Sequence, residues 1–170
     1  MNRRHAVLVA ATLAGALGAA ALYRWSEAEV APAAPPVVIT TLGKYVLYDS
    51  QNPAHPSFRF AIGVAVSGMD ADDLVEAEFE NPVDARQTLP GSVMDKPGVP
   101  KDQFMLVSPE LGAVQCRVYD VTVTLYRARG HEPVAVRREK ILSTLDSAAI
   151  AAGGGDAIER ARKGEAVCGG

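Results

Sequence analysis

Histidine and cysteine are scarce in this 170-residue chain, with three of the first and two of the second. That leaves little imidazole or thiolate for a zinc or iron–sulfur site. Aromatic residues are few as well: four Phe, five Tyr and one Trp. No surplus of one charge exists, since 17 basic against 20 acidic side chains give −3, which argues against a general nucleic-acid binder. The catalytic patterns Gly-x-Ser-x-Gly, His-Glu-x-x-His and Ser-x-x-Lys do not occur in the domain. Gly153 to Gly155 is not followed by Lys-Ser/Thr, so it reads as a flexible joint and not as a phosphate loop. His55 and His131 sit in loops with no sequence tie to a cysteine, which removes a thiol nucleophile. No cofactor and no metal is implied. What remains is 48% hydrophobic and 22% charged, a globular composition at the size of one domain with a tail.

The chain opens with a basic head, Met1 to His5 carrying Arg3 and Arg4, followed by an uncharged run of 18 residues from Ala6 to Tyr23. This is the layout of a secretory signal or a short membrane anchor. The run holds eight Ala and two Gly, with Leu8, Leu13, Leu17 and Leu22 as its strongly apolar members, so insertion is marginal at this length. Ser26-Glu27-Ala28 is the best cleavage candidate. Tyr23-Arg24-Trp25 suits the outer end of an anchor, in which case residues 6–23 contact the membrane. Residues 1–25 are therefore read as signal or anchor, and 26–36, rich in Ala and Pro, as a spacer. The expected location is exported: periplasmic, or held at the inner membrane.

From Val37 the pattern becomes that of strands. Val37 to Tyr48 is β-branched and aromatic, interrupted at Gly43. Phe58, Phe60, Ile62, Val64 and Val66 occupy every even position of 58–66, the period of a strand with one buried face. Past a turn over residues 67–73, Val75, Ala77 and Phe79 alternate with Glu76, Glu78 and Glu80, and the two segments are expected to pair as a hairpin. Residues 81–102, with Pro82, Pro90, Pro97 and Pro100, are expected to be an irregular crossover between sheets. Phe104 to Val107, Val114 to Tyr126 and Pro133 to Leu142 complete the set, the last two as a second hairpin. In Val114 to Tyr126 the apolar parity flips near Tyr119-Asp120, which suggests a bulge. Strands of this number and spacing indicate a mainly β fold, an antiparallel β-sandwich over residues 37–146. Residues 147–170 form a Gly-rich tail with short helix: Asp146-Ser147 caps one turn, Gly153 to Gly155 breaks it, and Asp156 opens a second piece ending at Gly164.

The stretch from Ser108 to Val123 (SPELGAVQCRVYDVTV) resembles the E–F corner and F strand of immunoglobulin-like and fibronectin-like sandwiches, where a Tyr precedes alternating valines. The resemblance implies architecture and carries no functional residues. No Cys–Trp–Cys core is present, since Trp25 lies outside the domain.

Two cysteines in an exported domain are expected to pair, so Cys116 and Cys168 are read as a disulfide that staples the tail to the sheet. Seven carboxylates fall between Asp70 and Asp84, yet the Asp70-Ala-Asp72-Asp73 turn lacks the glycine and the final Glu of a calcium loop. Two function classes stand. In the first, a non-catalytic exported or membrane-anchored envelope module binds a protein or polymer partner through its sandwich surface. The binding residues are then an acidic hairpin, Glu76, Glu78 and Glu80, and a basic one, Arg127, Arg129, Arg137 and Arg138. In the second, a small exported enzyme uses carboxylates that one sequence does not reveal.

Overall fold

A computed structural model describes residues 36–49, 57–95, 97–128 and 131–169. The expected signal or anchor, the spacer up to residue 35 and Arg129 lie outside them. Among the described residues the chain forms eight strands: β1 (Val38–Asp49), β2 (Ser57–Ser67), β3 (Leu74–Glu80), β4 (Thr88–Pro90), β5 (Ser92–Val93), β6 (Gln103–Val107), β7 (Val118–Tyr126) and β8 (Pro133–Leu142). One helical segment follows, α1 (Ser147–Arg162). No helix among the described residues is long and apolar enough to cross a membrane.

The strands divide into two four-stranded sheets, ordered β1-β2-β6-β5 and β4-β3-β7-β8, with every pairing antiparallel. The expected mainly β sandwich is therefore present. The even residues of β2 face the odd residues of β3 and β7, and the rings meet between the sheets. Phe60 lies 4.6 Å from Tyr119 and 6.3 Å from Phe79, centroid to centroid. Removing a ring such as that of Phe60 would cost about 3–5 kcal/mol.

The first expected hairpin does not exist. β2 pairs with β1 and β6, while β3 pairs with β4 and β7, so residues 68–73 carry the chain from one sheet to the other. Alternation reports which face a strand buries, not which strand lies beside it. A local clue was present: Ala61 and Gly63, at the odd positions of β2, are buried too, as befits a central strand flanked on both sides. The second expected hairpin, β7 with β8, is formed.

The proline-rich crossover does pass between sheets, but it contains two short strands. β4 belongs to one sheet and β5 to the other, with Gly91 as the step between them. Its amide donates to the Ala77 carbonyl at 2.7 Å. A Cβ at this position would meet the Phe79 ring at 2.7 Å, so the close approach requires glycine.

Tyr119 marks the start of β7, and its hydroxyl turns back to the preceding corner. It accepts from the Gln115 amide at 2.8 Å and donates to the Gln115 carbonyl at 3.3 Å. That is the tyrosine-corner arrangement of sandwich F strands. It also corrects the strand limit: 114–117 is not strand, Cys116 precedes β7, and the parity flip marks the corner and not a bulge.

The segment after β8 shares the sandwich core through Leu145, Ile150, Ala157, Ala161 and Val167. Asp146 caps α1, its carboxylate accepting from the amides of Ala148 and Ala149 at 2.8 and 3.1 Å. The helix is broken as expected, at Gly154, whose φ of 60° lies in the left-handed region, and the turn after it uses Gly164 at φ 74°. Cys116 and Cys168 are bridged, Cα to Cα 5.6 Å. Val167 beside the bridge pairs in parallel with Leu145.

Candidate binding face

The outer face of the second sheet is built by the odd–even rule. On β3, Val75, Ala77 and Phe79 are buried, which turns Glu76, Glu78 and Glu80 outward. On β7, Tyr119, Val121, Val123 and Leu125 point inward and Asp120, Thr122 and Thr124 outward. Register then sets their neighbours on β8: Thr124 opposite Val136, Thr122 opposite Arg138 and Asp120 opposite Lys140. On the other side, Glu76 lies opposite Thr124 and Glu78 opposite Thr122. One row across the sheet therefore runs Glu78, Thr122, Arg138, its ends two strand spacings or about 10 Å apart. Glu76 and Glu78 thus share one face of one sheet with Arg138 and Lys140.

Two open depressions share the floor made by Asp120 and Thr122. One, of about 370 Å³, is lined by Arg138 and Lys140. The other, of about 250 Å³, is lined by Glu78, Glu80 and Thr88. A polar group laid across β7 would meet carboxylates on one side and cations on the other.

Of the seven charged residues singled out from the sequence, Arg129 lies outside the described residues and the other six separate into two kinds. Glu76, Glu78 and Arg138 are exposed, and their side chains have no ion-pair partner among the described residues. Glu80 is taken up inside the fold: it holds Arg117 at 2.6 Å and accepts the Asp120 amide at 2.9 Å. Arg117 also lies 3.9 Å above the Tyr119 ring. Burial works against the Arg117 charge, but the Glu80 hydrogen bond and the fields of Tyr119 and Glu80 outweigh it, and its pKa is raised.

Arg127 and Arg137 are likewise not on the face. Arg127 binds Asp70 and Asp73 in the crossing from β2 to β3, and the Asp73 side chain is only 2% exposed. The acidic turn thus closes around an arginine. Arg137 has the inward parity of β8 and bonds Glu139, with Nε to Oε1 2.8 Å. Glu139 stands in the seam where β8 passes β1, and it also accepts from Thr41 at 2.9 Å and Lys44 at 3.1 Å. Hydrogen bonds from Arg137, Thr41 and Lys44 hold its pKa at about 2. Consecutive arginines on a strand face opposite ways, which is why Arg137 and Arg138 have different roles.

Sequence reasoning missed Lys140 and Asp120 as members of the face, and Glu139 as a clamp between sheets. The parity of β8 did not carry the signal, because Val134, Val136 and Leu142 share a side with Arg138 and Lys140. Yet it is Ala135, Arg137, Glu139 and Ile141 that turn toward the seam, charges at inward positions being a mark of an edge strand. Lys140 and Asp120 pair at 2.8 Å, both mostly exposed. That hydrogen bond raises the Lys140 pKa. Among the described residues, no three His, Cys, Asp or Glu side chains are grouped to hold a metal ion.

Comparison of the chain with protein-family models, with curated proteins and with solved structures finds no match.

Proposed function

We propose that the chain is a non-catalytic envelope module, exported or membrane-anchored, that binds a protein or polymer partner through the outer face of its second sheet. The observation that carries this reading is the division among the charges. Glu80, Arg117, Arg127, Asp73, Arg137 and Glu139 are tied within the fold, whereas Glu76, Glu78 and Arg138 stand outward with no ion-pair partner among the described residues. Exposed charges add little to stability, so such a face acts through encounter rate and orientation. The buried hydroxyls support the non-catalytic part. Ser108 accepts from the Phe60 amide at 3.0 Å and donates to the Pro109 carbonyl, and Ser143 donates to the Leu145 carbonyl at 2.9 Å. Both are buried and engaged by backbone.

Export is supported by the basic head and apolar run of the sequence and by the Cys116–Cys168 bridge, a bond that persists in oxidising compartments. Cell fractionation tests the location: residues 37–170 should be protected from cytoplasmic labelling, and a full-length cytoplasmic pool as the main species would refute it. The face is tested with Glu76→Lys/Glu78→Lys, which leaves the Glu80–Arg117 tie in place. The variant should melt with the wild type and lose most of the co-purifying partner at low ionic strength, where screening is least. Unchanged capture under those conditions would reject the face. A saturable turnover abolished by one carboxylate substitution would reject the non-catalytic reading.

A further inference from the structure

The charge arrangement on the second sheet narrows the partner. A uniform polyanion would meet Arg138 and Lys140 favourably but would be repelled by Glu76 and Glu78 about 10 Å away. A uniform polycation meets the reverse problem. The matching surface carries both signs, side by side, in the opposite order. This chain itself presents such a surface when it is turned over. Resting on the reading of this face as a binding surface, we infer that its occupant is a second copy of the same chain, related by a two-fold axis running along β7.

The geometry follows from the register. Rotation about an axis along the middle strand exchanges the two flanks and keeps each row level. β3 of one copy then lies over β8 of the other, and the reverse contact is made by the same operation, as an isologous interface requires. In the row Glu78, Thr122, Arg138, each Glu78 faces the other copy's arginine, giving two identical ion pairs around a threonine centre. One row along, Glu80 is held by its own Arg117 and Lys140 by its own Asp120, so the charge pairing between copies rests on Glu78 and Arg138. Val118, exposed at 44% with the same outward parity, sits near the axis and meets its own counterpart. Asp120 also lies near the axis, which would oppose two carboxylates, but each is already bonded to its own Lys140 at 2.8 Å. A two-fold axis across the strands instead would place acid on acid and base on base, so the charge pattern selects one orientation of the two.

The test is a charge swap read by sedimentation of the full chain at low salt. Wild type should dimerise, more weakly as salt rises. Glu78→Arg alone and Arg138→Glu alone should each weaken association about tenfold or more, because each reversal makes two like-charge contacts per dimer. Mixing the two single variants should restore a dimer, since arginine at position 78 of one copy then faces glutamate at position 138 of the other while the second pair remains native. Melting curves of each variant confirm that the fold is retained, and the double variant Glu78→Arg/Arg138→Glu gives the same rescue within one chain. A wild type that stays monomeric at high concentration, or a dimer indifferent to the reversals, or single variants that fail to rescue each other, would overturn the second copy as occupant. Capture of an envelope partner that is still lost in Glu76→Lys/Glu78→Lys would in that event leave the binding face standing. Loss of neither kind of association would overturn both.

Discussion

The hydroxyl of Tyr119 closes a ring with Gln115 four residues back, accepting its amide at 2.8 Å and donating to its carbonyl at 3.3 Å. The same ring packs on Phe60 in the core and lies beneath the Arg117 guanidinium. One side chain therefore holds the corner, the inter-sheet contact and the cation that secures Glu80. Tyr119→Phe keeps the ring and removes the hydroxyl, which leaves the Gln115 amide without its partner. The expected cost is about 1–3 kcal/mol in denaturant unfolding with an unchanged slope. A loss well below that would show that the corner forms without the hydroxyl.

Arg127 and Arg138 look alike in composition and should behave differently. Arg127→Ala removes the partner of Asp73, whose side chain is 2% exposed, and should lower stability by about 1–3 kcal/mol and loosen residues 68–73. Arg138→Ala should leave the melting temperature within error of wild type. Thermal melts of the two variants side by side decide it; equal effects would contradict the assignment of one to the fold and the other to the surface.

Glu139 should appear in the acid limb of stability. Its folded pKa of about 2 lies below the ordinary value of 4.5, so its contribution is complete above about pH 4.5 and is lost as pH falls toward 2. Glu139→Gln should therefore be less stable than wild type at neutral pH, with the gap between them closing from pH 4.5 down to 2. Unfolding curves at four or five pH values across that window measure it. A constant gap would mean that the carboxylate charge is not what joins β8 to Thr41 and Lys44.

The Cys116–Cys168 bridge joins residues 52 apart, and in the chain-entropy model such a loop is worth about 4 kcal/mol. Non-reducing peptide mapping should recover this pair. In Cys116→Ser, hydrogen exchange should accelerate first at the Val167 amide, which donates to the Thr144 carbonyl at 2.8 Å, and along α1, before the β2 and β7 amides respond. Uniform acceleration would instead make the bridge part of the global fold.

Much of the sandwich was legible because side-chain parity is a local property. Phe58 to Val66 and Val75 to Phe79 declare their buried faces residue by residue, and Asp146 and Gly153 to Gly155 punctuate the final helix, whereas parity at Tyr119 read as a bulge and only the resemblance to sandwich F strands pointed to its corner. The disulfide followed from there being two cysteines and an export signal. The same parity places Glu78 outward and sets Arg137 and Arg138 on opposite faces, but Arg138 shares its side with Val134, Val136 and Leu142, and only the structure shows that side turned outward. Pairing is different in kind, because a strand's neighbour is set by contacts between distant segments. β2 found β6 about forty residues later and not the adjacent β3, and Glu139 found Thr41 98 residues earlier in the chain. Only the packed sheets could bring Glu78 and Arg138 into one row, since that row depends on β7 lying between β3 and β8 in a register fixed by burial of Val121 and Val123.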